Sequence, residues 1–177
     1  MGPVETIALT MGVAWASGIN LYAAILTLGV MSATGNIDLP PDLEILSNPM
    51  VMGAAGLMFF IEFFVDKVPG VDSGWDTLQT FIRIPAGAIL AAGAVGDVGA
   101  GAELAAVIAG GSLAGASHFT KAGTRLAINT SPEPVSNWTA SILEDLAVIA
   151  GLWAALNHSI VFLILLGLFI LLVIWLL

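Results

Sequence analysis

The last nineteen residues, Ser159–Leu177, contain no ionisable side chain. A run of about 20 apolar residues is what crosses the hydrocarbon of a bilayer, and a soluble domain has no use for one. The rest of the chain agrees. Only 10% of its 177 residues are charged, and mean hydropathy is +1.01, whereas soluble domains carry about 25% charged residues. The reading is an all-α integral membrane protein, a single membrane domain over 1–177, with room for about six transmembrane or half-spanning helices. Formal charge is −9, from four Lys and Arg against thirteen Asp and Glu. Nucleic acid, which needs clustered cations, is excluded. Cysteine is absent, which removes disulfides, thiol chemistry and cysteine-based metal sites. Met1–Leu9 lacks a basic region, and the apolar run from Val4 is too long for a cleavable signal.

Taken in order, Val4–Met31 is a first helix interrupted at Ser17-Gly18-Ile19-Asn20, where glycine and backbone-competing polar side chains favour a break. Residues 34–47 read as a loop. Asn48-Pro49 opens a second helix, Met50–Val65. A short amphipathic helix at the membrane interface is expected over Gly74–Arg83, with Trp75, Leu78, Phe81 and Ile82 at helical spacing. Pro85 then begins a small, glycine-rich arm to Val95. A second arm runs from Glu103 to about Ala116, and close packing of the two through small residues predicts a hairpin, each arm short for a full span unless the Trp75 helix and His118–Asn129 extend them. Ser117–Asn129 follows, Ser131-Pro132-Glu133-Pro134 breaks the chain, and Ser136-Asn137 caps a fifth helix, Trp138–Leu156. Ser159–Leu177 is the last span.

Charge is concentrated in two places. Glu62–Gly87 holds six of the seventeen charges, and Lys121–Asp145 holds the remaining cations. Glu62 and Asp66 share one helix face. His118, Lys121 and Arg125, spaced i, i+3 and i+7, share another. Ionisable groups in or beside membrane spans are costly and mark functional sites by default. The candidate binding residues are Asn20, Tyr22, Glu62, Asp66, Lys67, Arg83, His118, Lys121, Arg125, Glu144 and Asp145. A structural ion-pair network that fastens helix ends accounts for the same residues. No catalytic motif, phosphate loop or paired-histidine motif is present, and His118 and His158 fall at opposite membrane faces, so no enzyme activity, metal or cofactor is expected.

With both termini inside, all four cations lie on the cytoplasmic side, as the positive-inside rule favours. The halves also echo each other. Gly18-Ile-Asn precedes Ser47-Asn48 and a helix with Glu62; Gly115-Ala-Ser-His precedes Ser136-Asn137 and a helix with Glu144-Asp145. Two inverted three-helix repeats are expected, about 1–95 and 102–177, with a polar site at their interface, a transporter-type arrangement.

Glu62-Phe-Phe-Val-Asp-Lys-Val-Pro-Gly-Val-Asp-Ser-Gly-Trp-Asp76 and Thr80-Phe-Ile-Arg-Ile-Pro-Ala-Gly87 resemble a family of small bacterial inner-membrane proteins catalogued as a domain of unknown function. The likeness extends to Gly18-Ile-Asn-Leu-Tyr22, Lys121-Ala-Gly-Thr-Arg125, Asn129-Thr-Ser-Pro-Glu-Pro134, Ser136-Asn137 and Glu144-Asp145. It implies a compact multi-pass protein of the bacterial inner membrane and brings no substrate or reaction.

The functional expectation is a small solute, ion or lipid transporter or channel. The alternative is a non-catalytic structural or accessory subunit whose apolar tail packs on a partner or on a second copy. A lipid-acting enzyme ranks last. The expected partners are the lipid bilayer, anionic lipid headgroups at the Lys121/Arg125 face, and a membrane-protein or homo-oligomer mate.

Overall fold

A computed structural model of the chain describes residues 1–68, 70–130 and 134–176. Among them are six α-helices: α1 (Pro3–Ala33), α2 (Pro49–Val65), α3 (Val71–Val95), α4 (Ala100–Ile128), α5 (Pro134–Asn157) and α6 (Ser159–Leu176). A short 3-10 helix, Pro41–Ser47, precedes α2, where the sequence suggested only loop. The expected break at 131–133 and the turn at Pro69 lie outside the described residues.

Four helices are long and apolar enough to span a bilayer: α1, α3, α4 and α5. The 3-10 helix and α2, bent by 65°, make a fifth if counted as one broken span. Asn48 forms the joint, its side chain accepting the Met50 amide at 2.8 Å. The described part of α6 is shorter. Several apolar helices of this kind fit a multi-pass protein embedded in lipid.

α1 is the axis. It packs on all five other helices, and 72% of its most apolar window is buried, against 33% or less in α3, α4 and α5. α3 and α4 form the hairpin expected from their small residues. A side chain at Gly87 would strike Ala114, and one at Gly110 would strike Ala91, so only glycine permits this approach. At the other flank Trp15 meets Phe162 and Phe169 of α6 edge-on.

The separate interface helix is not there. Val71–Val95 is one helix that runs through Pro85. Proline removes one backbone donor, here the one that would reach the Phe81 carbonyl, a loss that membrane helices tolerate; two residues on, Ser17 Oγ donates to the Arg83 carbonyl at 2.9 Å and ties this turn to α1. The amphipathic pattern was legible, but its polar face points inward. Asp72, Asp76, Gln79 and Arg83 are buried, while Leu78 and Phe81 are 64% and 79% exposed. A helix in lipid solvates its apolar face outside and must pair its polar face within. His118–Asn129 likewise continues α4 rather than forming its own segment.

The packing does not establish the two inverted repeats. α1 touches every helix, whereas α4, its expected counterpart, packs extensively only on α1 and α3.

Candidate functional site

The site forms where α1 breaks. Asn20 has φ −148° and ψ 97°, outside the helical range. This conformation takes the carbonyls just before it out of the helical ladder and leaves the next half-helix in need of a cap. Asn20 supplies that cap itself: its Oδ1 accepts the Ala23 amide at 3.0 Å. Its amide nitrogen donates to Asp145 Oδ1 at 2.9 Å. On the other side of the break, Lys121 Nζ lies 3.2 Å from the Ile19 carbonyl oxygen, and Arg83 Nη1 lies 3.5 Å from that of Gly18. Cations thus meet the negative end of the first half-helix. Gly18 makes the approach possible, since a Cβ there would collide with Ser117 Oγ and the Ala114 carbonyl oxygen.

Three cations and four carboxylates form one ion-pair network around this break. Arg83 donates to Glu62 Oε1 and, at 3.2 Å, to Asp76 Oδ1. Lys121 Nζ is 2.9 Å from Asp66 Oδ2 and 3.3 Å from Glu62 Oε1. Arg125 grips Glu144 with two parallel bonds, Nε to Oε1 at 3.1 Å and Nη2 to Oε2 at 2.6 Å. The planar guanidinium suits this fork. Arg125 Nη1 also donates to the Asp66 and Asn137 carbonyls, at 3.1 and 3.0 Å. Arg83 is the thirteenth of the 25 residues of α3, so the network reaches the middle of a span.

Around it lies a shell of neutral polar groups. Tyr22 and Gln79 pair, with Gln79 Nε2 3.2 Å from the phenol oxygen. His118 Nε2 is 2.7 Å from Thr80 Oγ1. Asn129 donates to the Asp72 carboxylate at 2.9 Å and accepts from Asn137 at 2.7 Å. Lys67 stands outside the spans, where its ammonium donates to the Phe63 carbonyl at 2.8 Å and lies 3.0 Å from the centre of the Phe63 ring. Burial pushes the Lys67 ammonium down from its ordinary value, against the attraction of Asp145 and Asp66.

All eleven candidate residues gather in this region. All four of the chain's Lys and Arg side chains are buried in it. Lys121 and Arg125 turn into the protein, and Lys121 borders a crevice between α4 and α5. Lys67 does not neutralise Glu62 directly; Arg83 and Lys121 do. Asn137 does not cap α5 but serves Arg125 from its first turn.

Sequence reasoning missed Asp72, Asp76, Gln79, Asn129 and Ser141, whose hydroxyl oxygen lies 3.4 Å from the Lys67 ammonium, as members. Asp72, Asp76, Gln79 and Arg83 recur at helical spacing, the same signal that grouped His118, Lys121 and Arg125. It was masked because amphipathic helices are usually read as water-facing on their polar side.

The pairing is incomplete. Six carboxylates (Glu62, Asp66, Asp72, Asp76, Glu144 and Asp145) face four cations, an excess of two negative charges if all are ionised. Glu62 Oε2, Asp66 Oδ1, Asp76 Oδ2, Asp145 Oδ2 and Arg83 Nε are buried with no hydrogen-bond partner among the described residues. No three His, Asp or Glu side chains among them are grouped to hold a metal ion. A crevice of about 300 Å³ between α4 and α5 meets the network at Lys121 and Glu144.

The chain belongs to the family described as a domain of unknown function, DUF4126, whose family model matches residues 7–177. No curated protein and no solved structure matches it significantly.

Proposed function

We propose that the protein is a small membrane transporter that moves positive charge, protons above all, through the polar site at the α1 break. The observation that carries this reading is the unbalanced charge beside a broken helix. Irregular backbone at membrane depth is tolerated where it is buried in protein or lines a cavity, and half-helix ends are where transporters hold their ions. Here six carboxylates surround four cations, and several of their oxygens lack a partner. Buried ions without partners are expensive, and a bound proton or cation relieves that cost. The closed interior corresponds to an occluded state. The inverted repeat and the bacterial inner membrane, with both termini cytoplasmic, belong to the same reading.

The test is proton flux into liposomes that contain the purified chain and a trapped pH-sensitive dye. Internal acidification after an acid pulse should outpace that of protein-free liposomes, and Glu62→Gln and Asp145→Asn should slow it. Equal rates with and without protein would defeat the proposal.

One observation favours a structural or accessory role instead: Glu62, Asp66, Asp76, Arg83, Lys121 and Arg125 are all buried and paired with one another or with Glu144. On that reading the ion pairs fasten α2, α3, α4 and α5 together, hydrogen bonds tie α1 to them, and the same liposomes show no flux above background.

A further inference from the structure

The crevice between α4 and α5 has walls and a floor of different chemistry. Ile19, Ala140, Leu143 and Phe169 supply apolar walls, and Lys121 and Glu144 supply the charged floor. α4 and α5 touch little, which leaves the opening between them. Lys121 lies seven residues before the end of α4, roughly 10 Å along the axis at 1.5 Å per residue. The floor therefore sits below the level of the helix ends. About 300 Å³ is at the lower limit of small-molecule sites, roughly 300–1,000 Å³.

Which charge the floor offers is decided by hydrogen-bond capacity. An ammonium has three donors, and those of Lys121 are met by Asp66 Oδ2, Glu62 Oε1 and the Ile19 carbonyl, at 2.9, 3.3 and 3.2 Å. The Thr120 and Thr124 hydroxyls donate to carbonyls of their own helix, at 2.7 and 2.8 Å. An incoming anion would find no free donor among these groups. Glu144 is different. Each of its oxygens accepts one Arg125 bond, and Lys121 Nζ stands 3.7 Å from Oε2, an ion pair too long for a hydrogen bond, so each oxygen keeps a lone pair. Its side chain is 17% exposed, against 3% or less for Glu62, Asp66 and Asp76. It is the outermost acid of an acid-rich network.

We infer that this crevice binds a hydrophobic amine: an ammonium group on an apolar body, without a phosphate. The ammonium donates to Glu144, and the apolar body lies between Leu143, Ala140 and Phe169. This deepens the transport reading by naming a substrate class for the same site. It differs from it in needing only binding, so the two can fail separately.

The test is saturable binding of tritiated N,N-dimethyldecylamine to the purified full chain in detergent. Unlabelled amine should displace it; decanol, its neutral counterpart, and decanoate, its anionic one, should not. Glu144→Gln removes the charged acceptor and should weaken binding at least about tenfold, as loss of a charge-assisted bond does. Ala140→Trp fills the crevice without touching a charge and should abolish binding, which decides the matter if Glu144→Gln does not fold. Displacement by decanoate would overturn the inference, as would binding unchanged in either variant. So would a tightly held ethanolamine phospholipid that the amine cannot displace. Binding without flux in liposomes would leave this inference standing and remove the transport reading; flux without binding would do the reverse.

Discussion

Lys121 Nζ rests 3.2 Å from the Ile19 carbonyl oxygen, a backbone group that the break at Asn20 removes from its helix. The same ammonium serves Asp66 and Glu62. One side chain of α4 thus joins α1 and the end of α2. Removing one member of a buried ion pair typically costs about 3–5 kcal/mol, because the partner stays buried and unpaired. Lys121→Met should therefore lower thermal stability in detergent by that order. Lys121→Met with Asp66→Asn should recover part of the loss, since the double variant also removes an orphaned charge. A single-variant loss below about 1 kcal/mol, as for exposed pairs, would mean the network is solvated rather than dry.

Asn20 offers a cleaner local test. Its side chain caps the second half of α1 at the Ala23 amide and holds Asp145. Replacing such a cap with alanine costs about 1 kcal/mol, and Asp145 then loses its donor as well. Hydrogen exchange at the amides of residues 21–23 should accelerate in Asn20→Ala. In Asn20→Ser, which keeps a capping oxygen, the acceleration should be smaller. Identical exchange in all three proteins would mean that the break holds without the cap.

The break and the two charged faces were legible because each is a local pattern. Gly18 and Asn20 are poor helix interiors, and His118, Lys121 and Arg125 repeat at helical spacing. The hairpin was legible too, from the small residues at Gly87, Gly110 and Ala114. What failed to show was direction. Asp76 and Gln79 alternate with Leu78 and Phe81 as they would on a helix lying at the water surface. Only the tertiary arrangement reveals that the polar face of α3 is the buried one and the apolar face the exposed one. Pro85 misled for a related reason: it usually ends helices in water, whereas membrane helices tolerate it in their interior, and α3 runs straight through it. The link from Asn129 to Asp72 was out of reach, since the two are 57 positions apart and only packing unites them.

Glycine positions separate close approach from mere flexibility. Gly18→Ala would drive a methyl group into Ser117 Oγ and the Ala114 carbonyl. Overpacking of this kind costs about 1–3 kcal/mol and would also push α4 away from the break. Gly123→Ala, on α4 with nothing within 4 Å of the added carbon, should be neutral or gain up to about 1 kcal/mol of helix propensity. Thermal melts of the two variants should diverge in sign. Matching shifts would mean that α1 and α4 do not meet at Gly18.

Lys67 supplies a pH signature. Burial holds its ammonium below the ordinary value, whereas the unfolded chain titrates near the free-lysine value of about 10.4. Between the two values the unfolded state binds more protons, so stability rises with pH; below the folded value the cost of the charged form is constant. The melting temperature of the wild type should therefore climb relative to Lys67→Met as pH rises through that alkaline interval. A difference that stays flat up to about pH 10.4 would rule out a depressed Lys67.

The inverted polarity of α3 can be read directly from its surroundings. The chain has no cysteine, so single-cysteine variants label without background. Phe81 is 79% exposed and Gln79 only 2%, two positions apart on the same helix. A fluorophore on Phe81→Cys in bilayers of brominated lipid should be strongly quenched, because lipid chains contact that face. Leu78→Cys should behave alike. Gln79→Cys should label slowly and show little quenching, since its side chain faces Tyr22 inside the bundle. Were α3 instead an interfacial helix with its polar face in water, Gln79→Cys would label fastest with a membrane-impermeant maleimide. The rank order of labelling and quenching therefore distinguishes a buried polar face from a hydrated one without reference to transport.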